Sequence, residues 1–146
     1  MRLFLRALAA AAATMTLAAT AAGAGSPKTF SVYLPGTKST YVDVGRKGYS
    51  PGDYFLATGR LLSRAGGARI GGLAGVWTLR SPAADDASIT LRLPQGTLFV
   101  AGRIHHTAKS STLRVTGGTD SYAGARGVAV LRYLSETTAE IGFALD

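Results

Sequence analysis

The chain has 146 residues, is 47% hydrophobic, contains 19 glycines and carries a formal net charge of +8. That is the length of one domain with enough apolar residues for a core. Cysteine is absent, which excludes a disulfide-stapled scaffold, a thiolate nucleophile and a zinc–cysteine site. Asparagine is absent too, so N-glycosylation is excluded.

The first segment has the three parts of a secretory leader. Arg2 and Arg6 form a positive start, an Ala/Leu-rich run extends to about Ala22, and Ala22-Gly23-Ala24 fits the small-x-small cleavage rule. The cut is placed after Ala24. Residues 1–24 are therefore expected to be removed and the mature protein to be secreted, extracellular or periplasmic. No basic stop-transfer cluster follows and an Ala-rich run inserts weakly, so no membrane anchor is expected after processing. Loss of the two leader arginines takes the charge from +8 to +6. The mature part divides into N-terminal strands over residues 25–47 and the body of a single domain over residues 48–146.

Along that part, short apolar runs alternate with Gly, Pro, Asp and Ser. Thr29–Leu34 reads as a first strand, ended by Pro35-Gly36, and Thr40–Val44 as a second. Gly48–Gly52 is a turn-rich break. Asp53 to about Ser63 and Ala68–Arg80 read as two longer strands joined through Gly66-Gly67. Ser81–Asp86 reads as a polar loop. Beyond it Ala87, Ile89, Leu91 and Leu93 alternate with Ser88, Thr90 and Arg92. Thr97–His106 and Thr112–Val115 are further strands, Gly117–Asp120 a tight loop, and Gly127–Leu134 with Thr138–Leu145 a closing hairpin. About eight strands with meander spacing predict an all-β fold, an up-and-down barrel or a sandwich. Leu98–Ala101 and Val128–Leu131 are apolar on both faces, so a homo-oligomer, trimer or dimer, is expected to cover one of them.

Several strings invite a chemical reading. Gly48-Tyr49-Ser50-Pro51-Gly52 matches the G-x-S-x-G of serine hydrolases. There the residue after the serine must donate its N–H to an oxyanion, and Pro51 has none. His105 and His106 are adjacent, so on a regular strand they point to opposite faces and cannot share a metal. One of them is a candidate acid/base group facing an interior. Phe99, Ala101, Arg103 and His105 share one face and Leu98, Val100, Gly102, Ile104 and His106 the other; which face is inside stays open. Gly117–Gly127 lacks the Gly-Lys-Ser/Thr ending and the helix of a phosphate loop. Trp77, the only tryptophan, is a core or ligand-stacking residue. The acidic residues are scattered. The basic residues are spread along the chain, without the basic helix or aromatic–basic stripe of a nucleic-acid module. No metal, cofactor or nucleic-acid partner is expected.

The string from Gly96 to Gly127 is more specific than its parts. It runs Gly96-Thr97-Leu98, Gly102-Arg103, Leu113-x-Val115-Thr116-Gly117-Gly118-Thr119 and Tyr122-x-Gly124-Ala125-Arg126-Gly127. It resembles the allene oxide cyclase and dirigent protein superfamily. Gly52-Asp53 and Ile70–Trp77 agree with it, so the resemblance spans about residues 48 to 145. It implies an eight-stranded antiparallel up-and-down barrel, usually trimeric, with an apolar pocket in which shape holds a reactive conformer. The cyclases hold an epoxide oxygen with an Asn and a Glu; this chain has no Asn, and Thr29 and Ser31 fall where the first strand would carry such groups. Thr58-Gly59-Arg60 stands in the region of a dirigent Asp. Only Gly102-Arg103 and Arg126 look dirigent-like.

Two readings follow. One is a barrel that binds a small apolar or phenolic molecule and steers its cyclisation or coupling, an isomerase-like or dirigent-type activity. Its candidate binding residues are Tyr33, Tyr54, Trp77, Arg103 and His105, with Arg103 anchoring a carboxylate or phenolate and His105 donating a proton. The other is a non-catalytic envelope or surface-binding barrel whose positive charge meets anionic polymers.

Overall fold

The computed structural model describes residues 28–146; the expected leader and its cleavage site lie outside them. Nine antiparallel strands follow in chain order: β1 (Lys28–Leu34), β2 (Thr37–Val42), β3 (Tyr54–Leu62), β4 (Arg69–Ser81), β5 (Ala84–Leu93), β6 (Gly96–His105), β7 (Ser110–Gly118), β8 (Gly127–Tyr133) and β9 (Ala139–Leu145). Their order across the sheet is β1-β9-β8-β7-β6-β5-β4-β3-β2, and a further β1–β3 pairing closes it. Eight strands form the barrel expected from the sequence, and β2 prolongs β1 beyond it.

Pro35 and Gly36 interrupt what is otherwise one long strand. Tyr33 lies opposite Leu62 and Thr37 opposite Gly59, so four steps on one strand meet three on the other. The extra residue is a bulge, and it reverses the alternation of side chains. Val32 and Leu34 point inward before it, Thr37 and Ser39 after it. A proline is tolerated there because the break leaves no ladder bond for it to donate.

Alternation is regular around the rest of the barrel. Ala87, Ile89 and Leu91 of β5, Leu98, Val100 and Ile104 of β6, and Leu113 and Val115 of β7 are all buried, while Ser88, Arg92, Arg103 and Arg114 are exposed. Each buried Leu, Ile or Val contributes about 1.5–3 kcal/mol.

One end is plugged. The rings of Phe30 and Phe143 stack with centroids 4.8 Å apart, and Tyr122 lies 6.0 Å from Phe30. Tyr122 comes from a single 3₁₀ turn, Asp120–Tyr122, that folds under the barrel after β7. The glycine-rich string is what lets this turn fit. A Cβ on Gly118 would stand 2.5 Å from the Tyr122 carbonyl, and one on Gly127, whose φ is +135°, 2.1 Å from that of Ala144. Arg126 donates to the carbonyls of Thr116 and Ala125, each at 2.8 Å. The motif that carries the family resemblance thus builds the floor of the barrel.

Two expected connections are corrected. Ser81–Asp86 contains only a two-residue turn, Pro82-Ala83: Ser81 pairs with Ala84, and Asp85 and Asp86 continue β5 between Leu79 and Thr78 on one side and Ile104 and Arg103 on the other. Pairing on both edges overrides the weak strand propensity of aspartate. Gly117 and Gly118 likewise belong to β7, and the loop begins only at Thr119.

Phe143→Ala should remove the centre of the plug and cost about 3–5 kcal/mol in chemical denaturation. A loss below about 1 kcal/mol would show that the aromatic stack does not close this end.

Candidate functional site

The other end of the barrel is not filled. A cavity of about 290 Å³ opens there, near the lower limit of ligand pockets, roughly 300–1,000 Å³. Leu73, Ile89, Leu131 and Ile141 form its depth, Phe55, Ala57 and Trp77 one wall, and Tyr133 with Glu136–Ala139 the rim opposite. Phe55 and Trp77 are cross-strand partners, as are Ala57 and Gly75. Gly75 sets how the tryptophan lies: a Cβ there would stand 2.7 Å from Trp77 Cζ3. The indole therefore folds over Gly75 into the space a side chain would take.

Asp85 lines the same cavity and is only 8% exposed. Its Oδ2 is 3.0 Å from His106 Nε2. His106 Nδ1 is 3.1 Å from the Pro82 carbonyl oxygen, which only accepts, so Nδ1 carries a hydrogen. Asp85 Oδ1 is enclosed and has no hydrogen-bond partner; neither has the hydroxyl of Ser111, buried opposite Leu131 on β7. A buried carboxylate oxygen left unpaired costs free energy and is uncommon in folded proteins. Two tyrosines feel this carboxylate: burial, then the charge of Asp85, pushes the Tyr133 phenol up, and burial with Asp85 and Asp53 does the same for Tyr49. Both stay neutral hydrogen-bond donors.

A second acid fastens the segment between β2 and β3. Asp53 is fully enclosed and accepts from Tyr41 Oη at 2.6 Å, Ser50 N–H at 2.6 Å and Val44 N–H at 2.8 Å. The Tyr41 bond first, then the backbone donors, hold its carboxyl below the usual range against the opposing effect of burial. The same bond pushes Tyr41 up to about 12. Tyr41 then stacks on Tyr49 at 5.8 Å and meets Phe55 at 5.2 Å. Asp53 thereby sets Tyr49 beside the aromatic wall of the cavity.

The five residues singled out from the sequence do not converge. Trp77 lines the cavity. Tyr33 faces outward between Leu62 and Glu140, and Tyr54 outward between Val42 and Thr78. Arg103 is outside, its Nε 3.2 Å from Asp86, which also binds Arg80 at 2.9 Å. His105 is exposed beside it, in a shallow outer depression with Arg80 and Ala83. The inward face of β6 belongs to Leu98, Val100 and Ile104, so the histidine that reaches the interior acid is His106. Asp85, Asp53, Ser111, Tyr49 and Tyr133 were not among the candidates. Asp85 was legible: extending the alternation of Ala87–Leu93 two residues upstream places it inward.

No family model matches the chain, and no curated protein matches it in sequence. Solved structures do match in fold. A pyocyanin demethylase superimposes with a TM-score of 0.71 at 21% identity, covering 82% of this chain and 100% of that one. A pterocarpan synthase dirigent protein gives 0.64 at 15% identity, covering 82% and 87%. The Diels–Alderase AbmU from Streptomyces koyangensis gives 0.62 at 16% identity, covering 82% of this chain and 63% of that one. The chain therefore has the fold of the dirigent and cyclase barrels, as the Gly96–Gly127 string implies. Likeness at such identity establishes the fold and not the chemistry.

The clamp makes a signed prediction. The folded-state value of Asp53 lies below the usual 3.8, so its stabilisation is complete above that pH and is lost as the pH falls through the lowered value. Hydrogen exchange over residues 43–52, corrected for its intrinsic pH dependence, should stay slow from about pH 7 to pH 5 and quicken only below about pH 4. Asp53→Asn should loosen the segment already at neutral pH; unchanged exchange there contradicts the clamp.

Proposed function

We propose that this protein is an exported barrel that binds a small apolar, aromatic or phenolic molecule in the mouth cavity and holds it in one conformer. The observation that carries the reading is the cavity itself: blind at the plugged end, walled by Phe55 and Trp77, and provided with a buried acid that contacts His106. Such a site has the mostly apolar lining and few polar groups of small-molecule pockets. The solved relatives in fold include enzymes that close rings and a demethylase, and their barrels support a ligand-handling role of that general kind. Steering of a cyclisation or coupling by shape, with Asp85 and His106 as the groups able to move a proton, is the activity we assign to it. Leu56 and Phe99 face outward and are 45% and 39% exposed; further copies of the chain are proposed to cover them, which sedimentation velocity reads directly.

Trp77 is the only tryptophan and lies in the cavity wall, so its fluorescence reports occupancy. Titration with 2-naphthol should quench it saturably. Gly75→Val, which drives the indole into the cavity, should weaken binding by about tenfold or more. Equal affinity in both proteins would place the ligand elsewhere.

A further inference from the structure

The charged side chains that line the cavity are of the opposite sign to the molecule as a whole. The chain carries +8 overall, yet the charged residues among those lining the cavity are Asp85 and Glu136, with no Lys or Arg between them. Arg80 and Arg103 are held on the outer surface by Asp86, and Arg132 by Glu140 at 2.9 Å on the outward face of β8 and β9. Asp85 is more than nine-tenths buried, its Oδ2 is taken by His106, and its Oδ1 lacks a donor. Phe55, Trp77 and Tyr133 line the same cavity.

We propose that the cavity selects a flat aromatic cation, a ring system bearing a protonated nitrogen whose N–H donates to the Asp85 carboxylate. The inference rests on the ligand-binding reading above and narrows it to a class. The carboxylate has a single side-chain partner of its own, His106, so a charge-assisted hydrogen bond from the ligand favours a cation over a neutral group. The ring face of Trp77 or Tyr133 attracts a cation within about 6 Å of its centre. Glu136 at the rim adds attraction on entry. Once seated, the ligand's charge is paired with a carboxylate, which is what burial of a charge requires. A carboxylate ligand, which an inward-facing Arg103 would have anchored, finds no Lys or Arg in the cavity lining and meets Asp85 and Glu136 instead.

Three probes of one bicyclic outline separate charge from shape: 4-aminoquinoline, a cation at neutral pH; 1-naphthylamine, neutral; and 1-naphthoate, an anion. Titrated into the mature protein, 4-aminoquinoline should bind about tenfold or more tightly than 1-naphthylamine, the scale of one hydrogen bond to a charged group, with 1-naphthoate weakest. Asp85→Asn should bring the cation and the neutral amine within about threefold of each other. Glu136→Gln, on the exposed rim, should reduce the preference by a smaller factor and serves if Asp85→Asn does not fold. Tighter binding of 1-naphthoate, equal binding of the cation and the neutral amine, or a preference untouched by both substitutions overturns the assignment while the cavity reading stands. Failure of all three probes to bind overturns the cavity reading and this proposal with it.

Discussion

A closed sheet gives each strand residue one of two destinations, the lumen or the outer surface. Everything at the mouth of this barrel follows from how that choice falls. On β6 the burial of Leu98, Val100 and Ile104 fixes the inward set, and this alone sends Arg103 and His105 outside. On β5 the same rule brings Asp85 inside, next to the neighbouring strand's Ile104. His106, just past the end of β6, then closes the contact with that acid. Where the rule is broken, at Pro35-Gly36, the bulge turns Thr37 and Ser39 towards the cavity and lengthens one wall.

The two ends divide the labour of the fold. The plug spends aromatic side chains and close-packed glycines on closure, and it holds the segments that resemble other barrels most clearly. The mouth holds buried carboxylates, one accepting from four surrounding donors and one left half-paired. That contrast between Asp53 and Asp85 is informative. Both are enclosed acids at the same end, but Asp53 has the full set of partners of a structural clamp, whereas Asp85 lines the cavity and keeps one enclosed oxygen unpaired.

Much of the architecture was legible before the structure. Strand positions, the Gly66-Gly67 turn and the alternation of Ala87–Leu93 are local patterns, and local patterns are what a single sequence displays. Trp77 was legible because one large indole in a small barrel has few places to go. The site was harder, for physical reasons. Pro82 followed by Ala83, Ala84 and two aspartates has the composition of a loop, and only pairing on both edges makes it strand. The choice between His105 and His106 is a matter of one residue in register, which no propensity decides. Asp53 binds residues three to twelve positions away through a folded segment that has no periodic signal. The Gly96–Gly127 string pointed to the right fold because it encodes the plug, and it was silent on chemistry for the same reason.

The central claim is that the mouth cavity holds a small molecule. It is tested most directly by native mass spectrometry of the mature protein and its Gly75→Val variant, each purified from a secreting host. The account predicts a bound small molecule on the wild-type protein, released on activation, and none on the variant, whose indole fills the space. An unliganded wild-type protein, or the same adduct on both, would contradict it.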